Sequence, residues 1–95
     1  GMSDRACPPP RIDILLADDH GVVRAGLRAL LEAEPDMRVV AEAADGPTAV
    51  ALTARHRPTV VVTDLSMPDG GLETIRQITA LGVPTRVLVL TVHAE

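Results

Sequence analysis

The chain has 95 residues, of which 46% are hydrophobic and 23% charged, and this balance is typical of one folded domain rather than a disordered segment. A net charge of -4 argues against direct contact with nucleic acid by this segment. The sequence has no apolar run near the roughly 20 residues that a membrane span needs, and no secretion signal. We therefore expect a cytoplasmic protein without membrane contact.

Two residue classes are absent. All nine basic residues are arginine, so no lysine amine is present, and the chain has no Phe, Tyr or Trp. Stacking of bases or sugars on aromatic rings is therefore excluded. The single cysteine, Cys7, has no partner for an internal disulfide.

Residues 1–10 differ in composition from the rest of the chain. Gly1 precedes Met2, and a run of three prolines follows Cys7. This pattern predicts a tag remnant and a disordered, proline-rich arm at 1–10. The folded domain is expected to occupy residues 11–95.

The first half of the domain alternates strand and helix patterns. Ile12–Ala17 predicts a strand, Val22–Glu34 a helix, and Val39–Ala43 a second strand after the break at Pro35. The helix is expected to place one stripe on a single face, formed by Val23, Leu27, Leu30, Leu31 and Glu34.

The second half repeats this alternation. Asp45-Gly46-Pro47 predicts the start of a helix that ends before Pro58, and Thr59–Thr63 predicts a buried central strand. A third helix carries an apolar stripe, Gly82 is expected to end it in a left-handed conformation, and Arg86–Leu90 predicts a fourth strand. The stripe is formed by Leu72, Ile75 and Ile78. This order of elements predicts an α/β fold with a parallel sheet and helices on both faces.

Acidic residues follow two of the predicted strands. Asp18 and Asp19 follow the first strand, Asp64 follows the third, and Thr91 follows the fourth. The carboxyl ends of parallel strands meet at one edge of the sheet, so three carboxylates are expected to converge there. Their mutual repulsion favours a hard divalent cation, for which Mg²⁺ is the best candidate. With that cation bound, Asp64 suits the role of nucleophile towards a phosphoryl group, and Thr91 that of a hydroxyl donor.

Four motifs of this sequence resemble the receiver domain of bacterial response regulators. They are Ile-Leu-Leu-Ala-Asp-Asp-His, Val-Thr-Asp-Leu-Ser-Met-Pro, Gly-Leu-Glu and Leu-Thr-Val-His. The resemblance covers 12–95, and the Ala-Asp-Asp-His and Thr-Val-His segments look most like the NarL/FixJ subfamily. It implies a flavodoxin-like (CheY-like) sheet in the order 2-1-3-4 and a regulatory domain rather than an enzyme.

The resemblance also implies roles for individual residues. Asp64 would accept a phosphoryl group from a sensor histidine kinase, and Thr91 would be the switch hydroxyl. Mg²⁺ would be bound directly by Asp19 and Asp64, through water by Asp18, and by the carbonyl of Ser66. The output would be a helix-turn-helix DNA-binding domain of the same protein, outside this chain.

Two departures from the family pattern are visible. The family has a lysine at the end of a fifth strand, whereas this chain has no lysine and ends at Glu95, so we expect a receiver without its last helix, strand and helix. The segment from Met67 to Leu72 is also one residue shorter than the family's usual spacing. The absence of a fifth strand would leave the fourth strand as an exposed edge, which predicts homodimers or swapped oligomers through Val87, Leu88, Val89 and Leu90.

Other interpretations of the same residues are weaker. Asp18 and Asp19 could cap the first helix. Met67-Pro68 is expected to form a turn and fill the core beside any functional role. The three histidines, at 20, 56 and 93, are too scattered along the sequence to predict a ligand motif. A phosphohydrolase of the haloacid dehalogenase type needs a second aspartate where Ser66 stands. The alternative that stays open is an interaction module that works without phosphorylation, either a pseudo-receiver or an inactive fragment.

Overall fold

A computed structural model of the chain describes residues 11–67 and 71–91. Four strands and three helices alternate in it, and the predictions for the arm at 1–10 lie outside the described residues. The elements are β1 (Ile12–Ala17), α1 (Gly21–Glu32), β2 (Met37–Ala43), α2 (Gly46–His56), β3 (Val60–Asp64), α3 (Gly71–Ala80) and β4 (Arg86–Leu90). Within the described ranges, no helix is long and apolar enough to cross a membrane.

The strands form one parallel sheet in the order β2-β1-β3-β4. This result confirms the predicted fold class and strand order. β1 and β3 lie in the interior of the sheet, while β2 and β4 each pair with one neighbour. The order reverses between β1 and β3, because β1 leads to β2 on one side and β3 leads to β4 on the other.

The sheet separates two hydrophobic clusters. Leu15 and Val61 belong to the cluster covered by α2 and α3, which also contains Met67. Ile14 and Leu16 belong to the cluster on the opposite face, where α1 contributes half-buried side chains. The alternation of neighbouring β1 residues between the clusters follows from the two-residue period of a strand. The burial of Met67 confirms its expected part in filling the core, whereas Pro68 and the shortened 68–70 segment lie outside the described residues.

The helix α1 differs from its prediction. It begins at Gly21 and ends at Glu32, so Glu34 lies after the helix and is exposed. Leu30 was expected on the apolar face but is 72% exposed. The reason is geometric: Leu27 and Leu31 lie on the same side of the helix four residues apart, and Leu30 is rotated by about 100° from Leu31.

The predicted stripe of α3 is also only partly buried, since Ile78 is 1% exposed but Leu72 is 74% exposed. The predicted strands and helix caps agree better with the structure. β2 begins two residues earlier than predicted, and β3 is shifted by one residue from the predicted range Thr59–Thr63. The carboxylate of Asp45 accepts a hydrogen bond from the backbone N–H of Thr48 at 2.8 Å, which confirms the predicted start of α2. Gly82 has a φ of 72°, in the left-handed region predicted for it.

Candidate functional site

The acidic residues converge where the strand order reverses. Asp18 directly follows β1 and Asp64 ends β3, so both lie at the carboxyl edge of the two central strands. One ligand atom from each of Asp18, Asp19, His20 and Asp64 lies within 4.8 Å of the others. The predicted convergence of the three carboxylates is confirmed. In open α/β sheets this crevice is where ligands bind.

Asp18 is the most buried member of this group, at 5% exposure. Its backbone N–H donates to the carbonyl of Ala43 at 3.0 Å, which ties it to the end of β2. Its Oδ1 accepts a hydrogen bond from the backbone N–H of His20 at 2.7 Å. His20, and neither aspartate, occupies the cap position of α1, and its side chain makes no capping hydrogen bond. The two acidic side chains are thus not used as helix caps.

Asp64 is held by the residue two positions after it. Ser66 donates its backbone N–H to Asp64 Oδ1 at 2.9 Å and its hydroxyl to Asp64 Oδ2 at 2.7 Å. The Ser66 backbone N–H lowers the pKa of Asp64 below its usual value against the opposing effect of burial, and the Ser66 hydroxyl and His20 lower the pKa further. The carboxylate is therefore ionised at neutral pH, the state that a nucleophile or a metal ligand requires.

Asp19 points its Oδ1 into the cluster. This oxygen is buried, and it lies 2.9 Å from Nδ1 of His20. A buried carboxylate oxygen needs a hydrogen-bond donor or a cation as its partner. Together with the neighbouring oxygens of Asp18 and Asp64, it offers the hard, anionic ligand set that Mg²⁺ prefers. The residues present therefore fit a divalent cation.

The sequence did not indicate that His20 belongs to this cluster. Its Nδ1 lies 3.2 Å from Asp18 Oδ1 as well as 2.9 Å from Asp19 Oδ1. The three histidines are far apart in the sequence, and spacing alone does not show that this ring turns back over the two preceding carboxylates. His56 lies at the other end of the domain, in a cavity at the β2 edge, and His93 lies outside the described residues.

The remaining predicted site residues lie at the same edge. Ser66 lines a cavity of about 200 Å³ together with Asp18, His20, Val23 and Asp64. Thr91 directly follows β4 and is exposed, and the neighbouring register pairs Asp64 with Leu90. Thr91 therefore lies one residue beyond Leu90, the β4 residue that pairs with Asp64 at the end of β3. A larger cavity of about 430 Å³ lies at the β2 edge, but its charged residues are of mixed sign and none belongs to the acidic cluster.

Comparison with known proteins agrees with this arrangement. Residues 14–95 match the response regulator receiver domain. The chain belongs to that family. Family membership confirms the resemblance seen in the sequence motifs, and the family is one of regulatory domains rather than enzymes.

Individual relatives point the same way. The oxygen regulatory protein NreC of Staphylococcus haemolyticus is 44% identical over 84 residues, which are 86% of this chain and 39% of NreC. The receiver domain of the response regulator NarL from Mycobacterium tuberculosis has a TM-score of 0.84 and 33% identity, with 92% of this chain and 71% of that chain covered. RcsB from Salmonella enterica serovar Typhimurium, bound to the promoter rprA with the phosphomimetic BeF3-, has a TM-score of 0.79 and 29% identity. That match covers 90% of this chain and 72% of RcsB.

These matches establish the class of domain to which the chain belongs. The chain is the receiver domain of a two-component response regulator, and it is similar to the receiver domain of NarL. It spans about two fifths of the length of the curated relatives that it matches.

Proposed function

We propose that this receiver accepts a phosphoryl group on Asp64 from a sensor histidine kinase in a reaction that depends on Mg²⁺. The observation that carries the proposal is the convergence of Asp18, Asp19 and Asp64 within 4.8 Å at the switch point of the sheet. The lowered pKa of Asp64 supports it, since an ionised carboxylate is the attacking form.

In the proposed step, a carboxylate oxygen of Asp64 attacks the phosphorus of a phosphohistidine. The new P–O bond forms as the P–N bond breaks, and the imidazole nitrogen keeps the electron pair and takes up a proton. Both oxygens of Asp64 accept a hydrogen bond from Ser66. Each carboxylate oxygen has a second lone pair for the attack, so the hydrogen bond from the Ser66 backbone N–H can keep the carboxylate oriented.

The cation would be held by Asp19 and Asp64 directly, by Asp18 through water, and by the carbonyl of Ser66. The convergence of the carboxylate oxygens of Asp18, Asp19 and Asp64 within 4.8 Å supports this assignment. When bound, Mg²⁺ neutralises charge on the transferring phosphoryl oxygens.

Thr91 is proposed as the hydroxyl that responds to the phosphoryl group. Its position after β4 at the acidic edge supports this role. Movement of this residue would carry the signal to a C-terminal helix-turn-helix domain. The RcsB relative, which was solved on a promoter with a phosphomimetic, supports that form of output.

The fourth strand is proposed as a dimer contact. Within residues 11–67 and 71–91, β4 pairs with β3 alone, and its Leu88 and Val89 are 57% and 40% exposed. An exposed apolar edge is a template for pairing with a second chain. Light scattering should give a mass above 10.0 kDa that falls to the monomer value in Leu88→Arg but not in Leu72→Arg, an equally apolar exposed position on α3. A concentration-independent monomer for the unchanged chain contradicts this contact.

The main test is the intact mass of the chain after incubation with acetyl phosphate, with and without Mg²⁺. We expect an adduct of one phosphoryl group that needs Mg²⁺ and disappears in Asp64→Asn. Asp36→Asn, at an exposed turn outside the site, is the matched control and should label like the unchanged chain.

The alternative function is an interaction module, either a pseudo-receiver or an inactive fragment. An interaction module that works without phosphorylation would give no adduct under any condition above while keeping its fold and its self-association.

A further inference from the structure

The loop that carries Asp18 and Asp19 is held by a residue that lies outside the acidic cluster. Arg24, in the second turn of α1, donates from a terminal guanidinium nitrogen to the carbonyl of Asp18 at 2.6 Å. That carbonyl belongs to the peptide unit between the two aspartates. Any rotation of this peptide would change the distance between their carboxylates.

The guanidinium of Arg24 is itself anchored to the sheet. Its Nε donates to Oε1 of Glu42, on β2, at 3.0 Å. The side chains of Arg24 and Glu42 are only 21% and 27% exposed. The planar fork of arginine suits such a double contact because its donors are fixed relative to each other. The Asp18 carbonyl is therefore connected through Arg24 to β2.

Glu42 also has a second partner that does not reach the site. Its Oε2 accepts from Arg28 at 2.6 Å, and Arg28 contacts Glu32 one turn further along α1. Arg28 thus shares Glu42 with Arg24 but has no described contact with Asp18. This difference makes Arg28 the natural control for Arg24.

We propose that Arg24 is a positioning residue for the acidic site, which fixes the peptide between Asp18 and Asp19 by joining the Asp18 carbonyl to Glu42. The role is geometric, since the charge of the guanidinium is balanced by Glu42 and a bare cation near a magnesium site would oppose metal binding. The consequence for metal affinity rests on the proposed function, whereas the consequence for the loop does not.

The first measurement needs no metal. Backbone ¹⁵N relaxation should give order parameters of about 0.85 for the amides of Asp19 and His20 in the unchanged chain. This value is typical of rigid backbone. In Arg24→Gln these values should fall towards about 0.6, and in Arg28→Gln they should stay unchanged. Equal values in all three chains, or an equal fall in both variants, overturn the proposal.

The second measurement is a Mg²⁺ titration followed by amide chemical shifts. Arg24→Gln should raise the Kd about tenfold, the size typical for loss of a group that orients a metal ligand, and Arg28→Gln should change it less than twofold. Arg24→Lys should not restore affinity, because an ammonium group lacks the fork that contacts both oxygens. Full recovery in Arg24→Lys overturns the geometric role in favour of a charge effect.

Two further outcomes are informative. If the unchanged chain shows no Mg²⁺ shifts, the proposed metal site fails, while the relaxation experiment still decides the role of Arg24. If Arg24→Gln does not fold, Glu42→Gln takes its place, because it weakens the anchor and leaves Arg24 present. A loop as rigid in Glu42→Gln as in the unchanged chain then contradicts the proposal.

Discussion

The face of the sheet under α2 and α3 buries seven hydrophobic residues of the described chain, whereas the face under α1 buries three, all of them on strands. α1 itself has no buried residue, and its Val22 and Leu30 are 88% and 72% exposed. Burial of apolar side chains therefore contributes more to the packing of α2 and α3 on the sheet than to the packing of α1.

The α1 face compensates with polar contacts. Glu42 on β2 accepts from both Arg24 and Arg28, and the backbone N–H of Val39 donates to Glu32 at 3.3 Å. Burial of apolar surface is non-directional, whereas hydrogen bonds depend on distance and angle. The acidic loop leads directly into α1, so its geometry depends on the directional contacts and the stability of the domain on the apolar ones.

The largest expected effect compares one side chain from each face. Ile78 on α3 is 1% exposed, and Leu31 on α1 is half-buried. Ile78→Ala should lower the free energy of unfolding by about 2–5 kcal/mol, because it leaves a cavity in a fully packed cluster. Leu31→Ala should cost about 1 kcal/mol, because part of the side chain is already in contact with water.

Urea unfolding followed by far-ultraviolet circular dichroism measures both variants, since the chain has no aromatic residue for fluorescence. Equal losses for the two variants would show that α1 is packed as tightly as α3 and would remove the basis of the comparison.

A second comparison uses one glycine from each face. A Cβ added at Gly71, the first residue of α3, would lie 2.6 Å from the Cα of Leu65, whereas a Cβ at Gly26 in α1 meets nothing within 4 Å. Gly71→Ala should destabilise the fold by about 1–3 kcal/mol, since the backbone must move. Gly26→Ala should stabilise it by up to about 1 kcal/mol, because alanine favours a helix interior. Opposite signs in the same denaturation experiment are the expected result, and a stabilising Gly71→Ala contradicts it.

The same contrast explains how far the sequence could predict the molecule. The topology and the meeting of Asp18 with Asp64 were predictable, because strand and helix periods set the element order and parallel strands bring their ends to one edge. The exposure of Leu30 was not predictable. The sequence pattern shows that an apolar stripe exists, but it does not show how much of that stripe a neighbouring element covers. Among the described elements, α1 packs mainly against β2 and β1, so its buried stripe is narrow.

The hydrogen bonds around the acidic side chains also could not be predicted from the sequence. Nothing in the spacing of Arg24 and Glu42, 18 residues apart, indicates that their side chains meet, and the double contact of Ser66 with Asp64 depends on one side-chain rotamer. Residue type and position within an element can be predicted from local patterns. Hydrogen bonds between side chains of different elements depend on their packed positions.

The smallest expected effect concerns the response of the two faces to acid. Hydrogen bonds from Arg28 and then from Arg24 lower the pKa of Glu42 below its usual value of 4.5. A carboxylate with a lowered pKa in the folded state contributes stability that is present above its usual value and is lost as the pH falls through its folded pKa. Acid should therefore loosen α1 before α3. Amide hydrogen exchange, corrected for the intrinsic pH dependence, should show protection of α1 falling below about pH 4.5 while protection of α3 persists.

Glu42→Gln should abolish this difference, because the glutamine cannot gain or lose the charge: protection of α1 should be lower already at pH 7 and should change little with acid. Glu73→Gln on α3 is the matched control, since the pKa of Glu73 is lowered in the same way by Arg76, in an ion pair that lies within one exposed helix. An ion pair at the surface contributes little to stability, so this control should leave α1 unaffected. If α1 of the unchanged chain and of Glu42→Gln loses protection in parallel, the polar network is not what holds α1 to the sheet, and apolar contacts of Leu27 and Leu31 must be sufficient.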